Sequence, residues 1–153
     1  MFGVFIMGSC QGRELISPTE TQCSQIKAEV KQAAIDHLNA QDATTALSNY
    51  TKDVLAASNE QLYTSSERLA EEIEAYYSIL KQVDFAAWDE THINVINTNT
   101  ALFTAKFRYS FTNTNNEKHA IQGVWTALFV RIKDKWKIRV RHESFVPLDV
   151  QSP

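Results

Sequence analysis

The amino-acid sequence predicts an α+β fold in which helices pack on one face of an antiparallel sheet. Apolar residues recur at three-and-four spacing in the first half of the chain, which is typical of amphipathic helices. After Gln82 the spacing changes to alternation, and turns rich in asparagine and threonine separate the alternating runs. Helices followed by a long strand meander indicate an α+β domain.

The composition is that of one globular domain with no general affinity for nucleic acid. The 153 residues are 44% hydrophobic and 22% charged, and a chain of this length buries about 70% of its unfolded surface. A formal net charge of -3 gives no general attraction to polyanions, so no nucleic-acid partner is expected. Cys10 and Cys23 are too few for a disulfide framework and lack metal-ligand spacing. We expect neither a metal nor a cofactor.

The first ten residues resemble a bacterial lipoprotein signal. An apolar run over residues 2–7 leads through Gly8 and Ser9 to Cys10, which would carry the lipid. The run is short and no basic residue precedes it, so the alternative is a disordered N-terminus on a cytoplasmic protein. We divide the chain into an anchor-like or disordered segment 1–16, one domain 17–148 and a tail 149–153. A lipid on Cys10 would hold the domain at the cell envelope, and it is the only membrane contact expected.

Three helices are predicted from their start signals. Residues 17–20 read Ser-Pro-Thr-Glu, in which Ser17 can cap the helix and Glu20 can close a capping box. Asp42 can cap a second, shorter helix, and a brief strand follows at 54–57. Residues 64–67 offer another capping box, and the helix behind it places Glu71, Glu72 and Glu74 on its solvated side.

Five strands complete the predicted domain, at 83–88, 91–96, 101–111, 119–132 and 136–145. The last strand alternates without a break, and successive side chains on a strand point to opposite faces. One face carries Trp136, Ile138, Val140, His142 and Ser144, and the other carries Lys137, Arg139, Arg141 and Glu143. We therefore expect His142 and Ser144 to point inward, at the end of an apolar row.

The order of these elements, and the ending Trp136-Lys137-Ile138 followed by His142-Glu143-Ser144, resemble the SnoaL-like branch of the nuclear-transport-factor-2-like superfamily. The turn before that ending is usually Asp-Gly in the family, whereas here it is Asp134-Lys135. The resemblance implies a cystatin-like α+β cone, with N-terminal helices packed in the concave face of a strongly curved antiparallel sheet around an apolar cavity. It also implies a homodimer. Members include isomerases, dehydratases and cyclases, as well as binding and accessory domains.

His142 is the candidate general base, and it is also the first candidate for ligand contact together with Ser144. A structural histidine is the alternative. The steroid-isomerase branch keeps an aspartate near the first strand, but segment 54–57 has no ionisable side chain, which weighs against an isomerase. The aromatic residues that we expect around the cavity are Trp125, Phe107, Tyr109, Tyr63 and Trp88.

The register of strand 121–132 decides which of its side chains face the cavity. A two-residue loop at Asp134-Lys135 would place Trp125, Ala127 and Phe129 on the face of His142, and this is the favoured alternative. A bulge in the turn would instead bring in the row Val124, Thr126, Leu128 and Val130, because one extra residue reverses every side chain.

Three further groups of polar residues are interpreted as surface features. Asp89, Glu90 and His92 lie close together in sequence but on a strand-to-strand bend, which does not favour a metal site. His37 and His119 are expected to be solvated. The basic residues of 131–141 are interpreted as a convex sheet face in contact with water.

These observations predict a domain that binds a small apolar or amphipathic molecule, or serves as an accessory domain, without catalysis. The first alternative is an acid–base isomerase or dehydratase acting on a hydrophobic substrate, with His142 as the base. The second is a dimeric interaction module whose cavity is filled by its own side chains.

Overall fold

The computed structural model describes residues 17–148, which form three helices and six strands. The expectations for Cys10, for segment 1–16 and for tail 149–153 fall on residues outside that range. In chain order the elements are α1 (Glu20–Leu38), α2 (Ala43–Ser48), β1 (Tyr50–Ser58), β2 (Gln61–Tyr63), α3 (Ser66–Ile79), β3 (Leu80–Asn97), β4 (Thr100–Asn113), β5 (Lys118–Ile132) and β6 (Lys135–Pro147). No helix within the described range is long and apolar enough to span a bilayer.

Side-chain caps start the three helices near the predicted places. Asp42 caps α2 and Ser65 caps α3, both as the sequence predicts. The cap of α1 is Thr19 and not Ser17, and its capping box is closed by Gln22 instead of Glu20. The predicted start of α1 is therefore two residues too early. Thr19 and Gln22 form the capping box, because the Thr19 hydroxyl accepts from the Gln22 N–H and the Gln22 side chain accepts from the Thr19 N–H.

The six strands form one strongly curved sheet in the order β2-β1-β6-β5-β4-β3, and the helices pack in its concave face, which confirms the predicted α+β cone. Every neighbouring pair is antiparallel except β1 and β6, which run parallel. The sequence predicts β1 as a brief strand of four residues, whereas it is nine residues long. Strand β2 was not predicted.

The two strands predicted at 83–88 and 91–96 are one 18-residue strand, β3. Its pairing with β4 shifts register at four places, among them the step from Trp88 to Glu90. Each shift bends the strand and increases its twist. The polar residues 89–90, which suggested a break between two strands, therefore lie at a bend within one continuous strand. That bend helps to wrap the sheet around α1.

The core lies between α1, α3 and the inner face of the sheet. Helix α1 buries Ile26, Val30 and Ala34, which belong to its predicted apolar stripe. Fully burying one large apolar side chain stabilises a domain by about 1.5–3 kcal/mol. The largest side chains that are fully buried are Phe103, Phe129, Leu69, Ile138, Val30 and Val54.

The β5–β6 hairpin closes through a two-residue turn at Lys133 and Asp134, not at Asp134-Lys135 as predicted. Both turn residues have positive φ, of 48° and 63°, as a two-residue hairpin turn of type I′ requires. Trp125, Ala127 and Phe129 are each 2% exposed or less, so this row of β5 faces the core as favoured, although it does not share a face with the exposed His142.

Candidate functional site

A cavity of about 260 Å³ lies between α1, α3 and the inner faces of β4, β5 and β6. Nine of its eighteen lining residues are aromatic, and they come from five strands and one helix. A few polar side chains interrupt these aromatic walls, chiefly from α1, α3 and β6. The aromatic lining residues are Tyr50, Tyr76, Tyr77, Trp88, Phe107, Tyr109, Phe111, Trp125 and Phe145.

A bulge in β6 decides which of its polar residues face this cavity. Phe129 pairs with Ile138 but Leu128 pairs with Val140, so Arg139 is an extra residue in β6. The extra residue reverses the alternation that follows it. Ile138 is fully buried and Val140 is 36% exposed, after which Arg141 is only 7% exposed.

The predicted orientation of His142 and Ser144 toward the cavity is therefore wrong. Both residues are exposed and lie on the outer face of the sheet. Arg141 and Glu143, which the unbroken alternation placed outside, line the cavity instead. The bulge lies within β6 and not in the turn, so neither the turn nor the alternation of residues 136–144 signals it.

Replacing His142 by alanine is expected to change the free energy of unfolding by less than about 0.5 kcal/mol, because the exposed ring has no buried partner to lose. Urea unfolding of the two proteins under the same conditions measures this difference. A loss above 1 kcal/mol would contradict the outward position of the ring.

Arg141 is the centre of a polar cluster inside the cavity. Its guanidinium donates to the hydroxyl of Tyr50 at 3.2 Å, and Nη2 lies 3.3 Å from Glu72 and 3.5 Å from Glu143. Burial acts to lower the pKa of Arg141, but Tyr50, Glu143 and Glu72 together hold it above its usual range. Its Nε has no hydrogen-bond partner among the described residues.

His37 joins this cluster through Tyr50, whose hydroxyl lies 3.3 Å from Nε2 of the ring. The ring is stacked on Trp125, and its buried Nδ1 has no partner within the described part of the chain. Burial first, and the charge of Arg141 second, lower the pKa of His37 from 6.5 to about 3. The ring is therefore neutral at neutral pH, and the expectation that His37 is solvated is wrong.

Two tyrosines form a second polar feature of the cavity wall. The hydroxyls of Tyr76 on α3 and Tyr109 on β4 are 2.6 Å apart. Burial raises the pKa of both, and the mutual hydrogen bond raises that of Tyr76 further. Tyr77 donates to the carbonyl of Ala40 at 2.8 Å, and burial raises its pKa to about 12. All three phenols are thus neutral hydrogen-bonding groups.

Four of the five aromatic residues expected around the cavity line it: Trp125, Phe107, Tyr109 and Trp88. Tyr63 packs against the core from β2 but does not line the cavity. The structure therefore brings together most of the predicted aromatic set, while the polar residues beside it differ from those predicted.

Two of the missed residues had a signal in the sequence. His37 follows Val30 and Ala34 at helical spacing, so it continues the apolar stripe of α1. Glu72 lies three residues after the buried Leu69, which places it near the inner side of α3 and not on the solvated side as predicted. Arg141 and Glu143 had no such signal, because only the bulge brings them inside.

The remaining predicted groups lie on the outside. Asp89 accepts two hydrogen bonds from Arg108, and Glu90 pairs with His92 and Lys106, so their carboxylates have protein partners. Within residues 17–148 no group of three or more histidine, cysteine or acidic side chains is placed to hold a metal ion. His119 is exposed and stacks on Phe111.

The basic residues of 131–141 do not form one convex patch, contrary to our interpretation. Arg131 packs over Trp136 and pairs with Glu29 on α1, while Arg139 pairs with Asp53 on the outside. Arg141 lies inside the cavity. The bulge turns Arg141 inward and the pairing with Glu29 holds Arg131 against α1, so these charges lie on different surfaces.

Comparisons with known proteins agree with this architecture. The model of the SnoaL-like domain family matches residues 26–149. None of the curated proteins matches the sequence. Among solved structures, a candidate scytalone dehydratase from Novosphingobium aromaticivorans has a TM-score of 0.79 at 10% identity, covering 88% of this chain and 94% of its own.

Two further solved structures show the same fold. A hexachlorocyclohexane dehydrochlorinase, LinA-type3 from Novosphingobium barchaimii, has a TM-score of 0.65 at 13% identity over 86% of this chain and 96% of its own. A conserved protein from Planctomyces limnophilus has a TM-score of 0.69 at 16% identity over 82% and 99%. Identities this low establish a common fold and no common activity.

Proposed function

The chain belongs to the SnoaL-like domain family, and on that premise we propose that it binds a small, largely apolar molecule in its cavity without transforming it. The observation that carries this proposal is an interior space walled by nine aromatic residues, with a few hydrogen-bonding groups among them. Sites for small molecules have this composition, with apolar walls for affinity and few polar groups for orientation.

The dimensions of the cavity limit the ligand. Its volume of about 260 Å³ is close to the lower limit of ordinary ligand pockets, which is about 300 Å³. It therefore suits a molecule of one or two rings. Phenol hydroxyls, two carboxylates and one largely buried guanidinium lie along its wall, so the ligand is expected to carry at least one polar group.

Two observations support binding over catalysis by a histidine base. The predicted base, His142, lies on the outer face and cannot reach a molecule in the cavity. His37 does line the cavity, but its pKa of about 3 makes it a weak proton acceptor at neutral pH, where an efficient general base has a pKa near 7. Proton abstraction from carbon would require a stronger base than this ring.

Filling the cavity with Ile121→Trp is expected to weaken the binding of indole at least tenfold, because the larger side chain occupies the ligand's space. Ile121 lies on the inner face of β5 and lines the cavity, whereas Val124 on the same strand is 43% exposed on the outer face. Val124→Trp is therefore the matched control and should bind indole as the wild type does. Saturation-transfer NMR with indole measures binding in all three proteins.

Equal binding of indole by the Ile121→Trp variant, with an unchanged circular dichroism spectrum, would contradict the proposed site. Mass spectrometry of molecules extracted from the purified protein would then identify the natural ligand. The expected homodimer and the expected lipid on Cys10 at the cell envelope stay predictions, since the arrangement of residues 17–148 in one chain bears on neither.

A further inference from the structure

The charges that face the cavity do not balance. Glu72 and Glu143 each contribute a carboxylate, and Arg141 contributes the only guanidinium among the described lining residues. The formal charge of this cluster is therefore -1. His37 adds no positive charge at neutral pH, because burial keeps its ring unprotonated.

The geometry shows why Arg141 is not available to an anion. A single nitrogen, Nη2, lies within 3.5 Å of both carboxylates, while Nη1 donates to Tyr50. The guanidinium, with 7% of its side chain exposed, is thus occupied on two sides, and its Nε, which has no partner among the described residues, is itself buried. An incoming carboxylate or phosphate would meet Glu72 and Glu143 before it could replace them, and like charges repel strongly where water is scarce.

The carboxylates are more accessible than the guanidinium between them. The side chains of Glu72 and Glu143 are 32% and 19% exposed, and both residues line the cavity. One guanidinium can neutralise one carboxylate, so the second charge remains to attract a cation. A ligand with several N–H donors satisfies both the charge and the carboxylate oxygens.

The aromatic walls add to the same preference. The faces of aromatic rings carry partial negative charge and attract cations, most strongly where the cation has lost its water. Arg141 already lies over the ring of Tyr50, with Cζ 5.9 Å from its centroid. Tyr76 lies on the same helix as Glu72, one turn further on, so a cation near that carboxylate is also close to an aromatic side chain.

We propose that the cavity selects cationic ligands, namely aromatic or alicyclic molecules of one or two rings that carry a protonated amine, held by Glu72 and Glu143. This inference rests on the proposed binding function and names its ligand class. It places the ammonium beside the two carboxylates and the ring among the aromatic residues of β4 and β5. Anionic analogues of the same size are excluded by the uncompensated charge.

Three compounds with one indole ring test this selection. Tryptamine, tryptophol and indole-3-propionate differ only in the end group, which is an ammonium, a hydroxyl and a carboxylate. Isothermal titration at pH 7.5 and low salt should give a Kd for tryptamine at least tenfold below that for tryptophol. Indole-3-propionate should bind at least tenfold more weakly than tryptophol.

Glu143→Gln identifies the origin of the preference, because it removes one charge from the cavity and keeps the shape of the side chain. This variant should reduce the ratio of the tryptophol Kd to the tryptamine Kd at least fivefold. Glu74→Gln is the matched control, since Glu74 is exposed on the same helix as Glu72, and it should leave the ratio unchanged. If Glu143→Gln does not fold, Glu72→Gln makes the same charge change from α3.

The outcomes separate this inference from the proposed function. Equal affinity for tryptamine and tryptophol would overturn cation selection and leave a neutral-ligand cavity standing. A tenfold preference that is unchanged in both the Glu143→Gln and the Glu72→Gln variant would also overturn it, because the carboxylates would not be its source. If none of the three compounds binds while indole does, cation selection is wrong and the cavity remains a binding site.

Discussion

Replacement of Arg141 by methionine is expected to lower the free energy of unfolding by about 3 kcal/mol. The substitution keeps most of the apolar stem but removes the guanidinium from between Glu72 and Glu143. Two carboxylates then share a poorly hydrated site without a counter-charge, and the hydroxyl of Tyr50 loses a donor. The expected loss lies at the lower end of those measured for broken buried ion pairs, because both carboxylates are partly exposed.

Arg139→Met is the matched control for this substitution. Arg139 lies two residues earlier on β6 and pairs with Asp53 at 2.7 Å, but both side chains are more than half exposed. Such surface pairs contribute between zero and about 1 kcal/mol. Guanidinium chloride unfolding of the two variants compares them directly. Equal losses would contradict the placement of Arg141 inside the cavity and the bulge that puts it there.

Lowering the pH from 7 to 5 is expected to reduce the free energy of unfolding by about 2 kcal/mol through His37 alone. The unfolded chain binds a proton at this ring below pH 6.5, whereas the folded protein does not until about pH 3. Acid therefore favours the unfolded state throughout this window. The stabilising effect is complete above the unfolded pKa and is lost progressively as the pH falls toward 3.

A His37→Gln variant isolates this contribution. Glutamine cannot bind a proton in this range, so the difference in stability between pH 7 and pH 5 should shrink by about the same 2 kcal/mol. Carboxyl groups have ordinary pKa values near 4 and contribute mainly below this window. Urea unfolding at both pH values, for both proteins, gives the comparison. An unchanged pH dependence in the variant would mean that His37 titrates normally in the folded state.

The wrong predictions for the side chains of residues 141–144 share one cause. In β6 the alternation of residues 136–144 is unbroken, yet the pairing with β5 skips Arg139. Local spacing contains no information about such a bulge, because a bulge is stabilised by the neighbouring strand and by what becomes buried after it. Because of this one extra residue, Arg141 and Glu143 face the cavity, where His142 and Ser144 were expected. This bulge alone places the candidate base, His142, outside the cavity.

The predictions that hold depend on signals carried within a few residues. Asp42 and Ser65 cap their helices through their own side chains, and the apolar stripe of α1 needs only the helical period. The burial of Trp125, Ala127 and Phe129 follows from a strand that keeps its alternation from end to end. None of these features needs a distant partner to be recognised.

The amino-acid sequence by itself determined the order of the three helices and of the strands, apart from β2 and the continuity of β3. It also determined the resemblance to the SnoaL-like family and most of the aromatic residues around the cavity. Only the tertiary structure decided the polar part of that cavity, where His37, Tyr50, Glu72, Arg141 and Glu143 meet from α1, β1, α3 and β6. The physical reason is that hydrophobic periodicity reports which face of an element is apolar. It does not report which charged side chain a bulge turns inward, nor which partner from another element makes its burial tolerable.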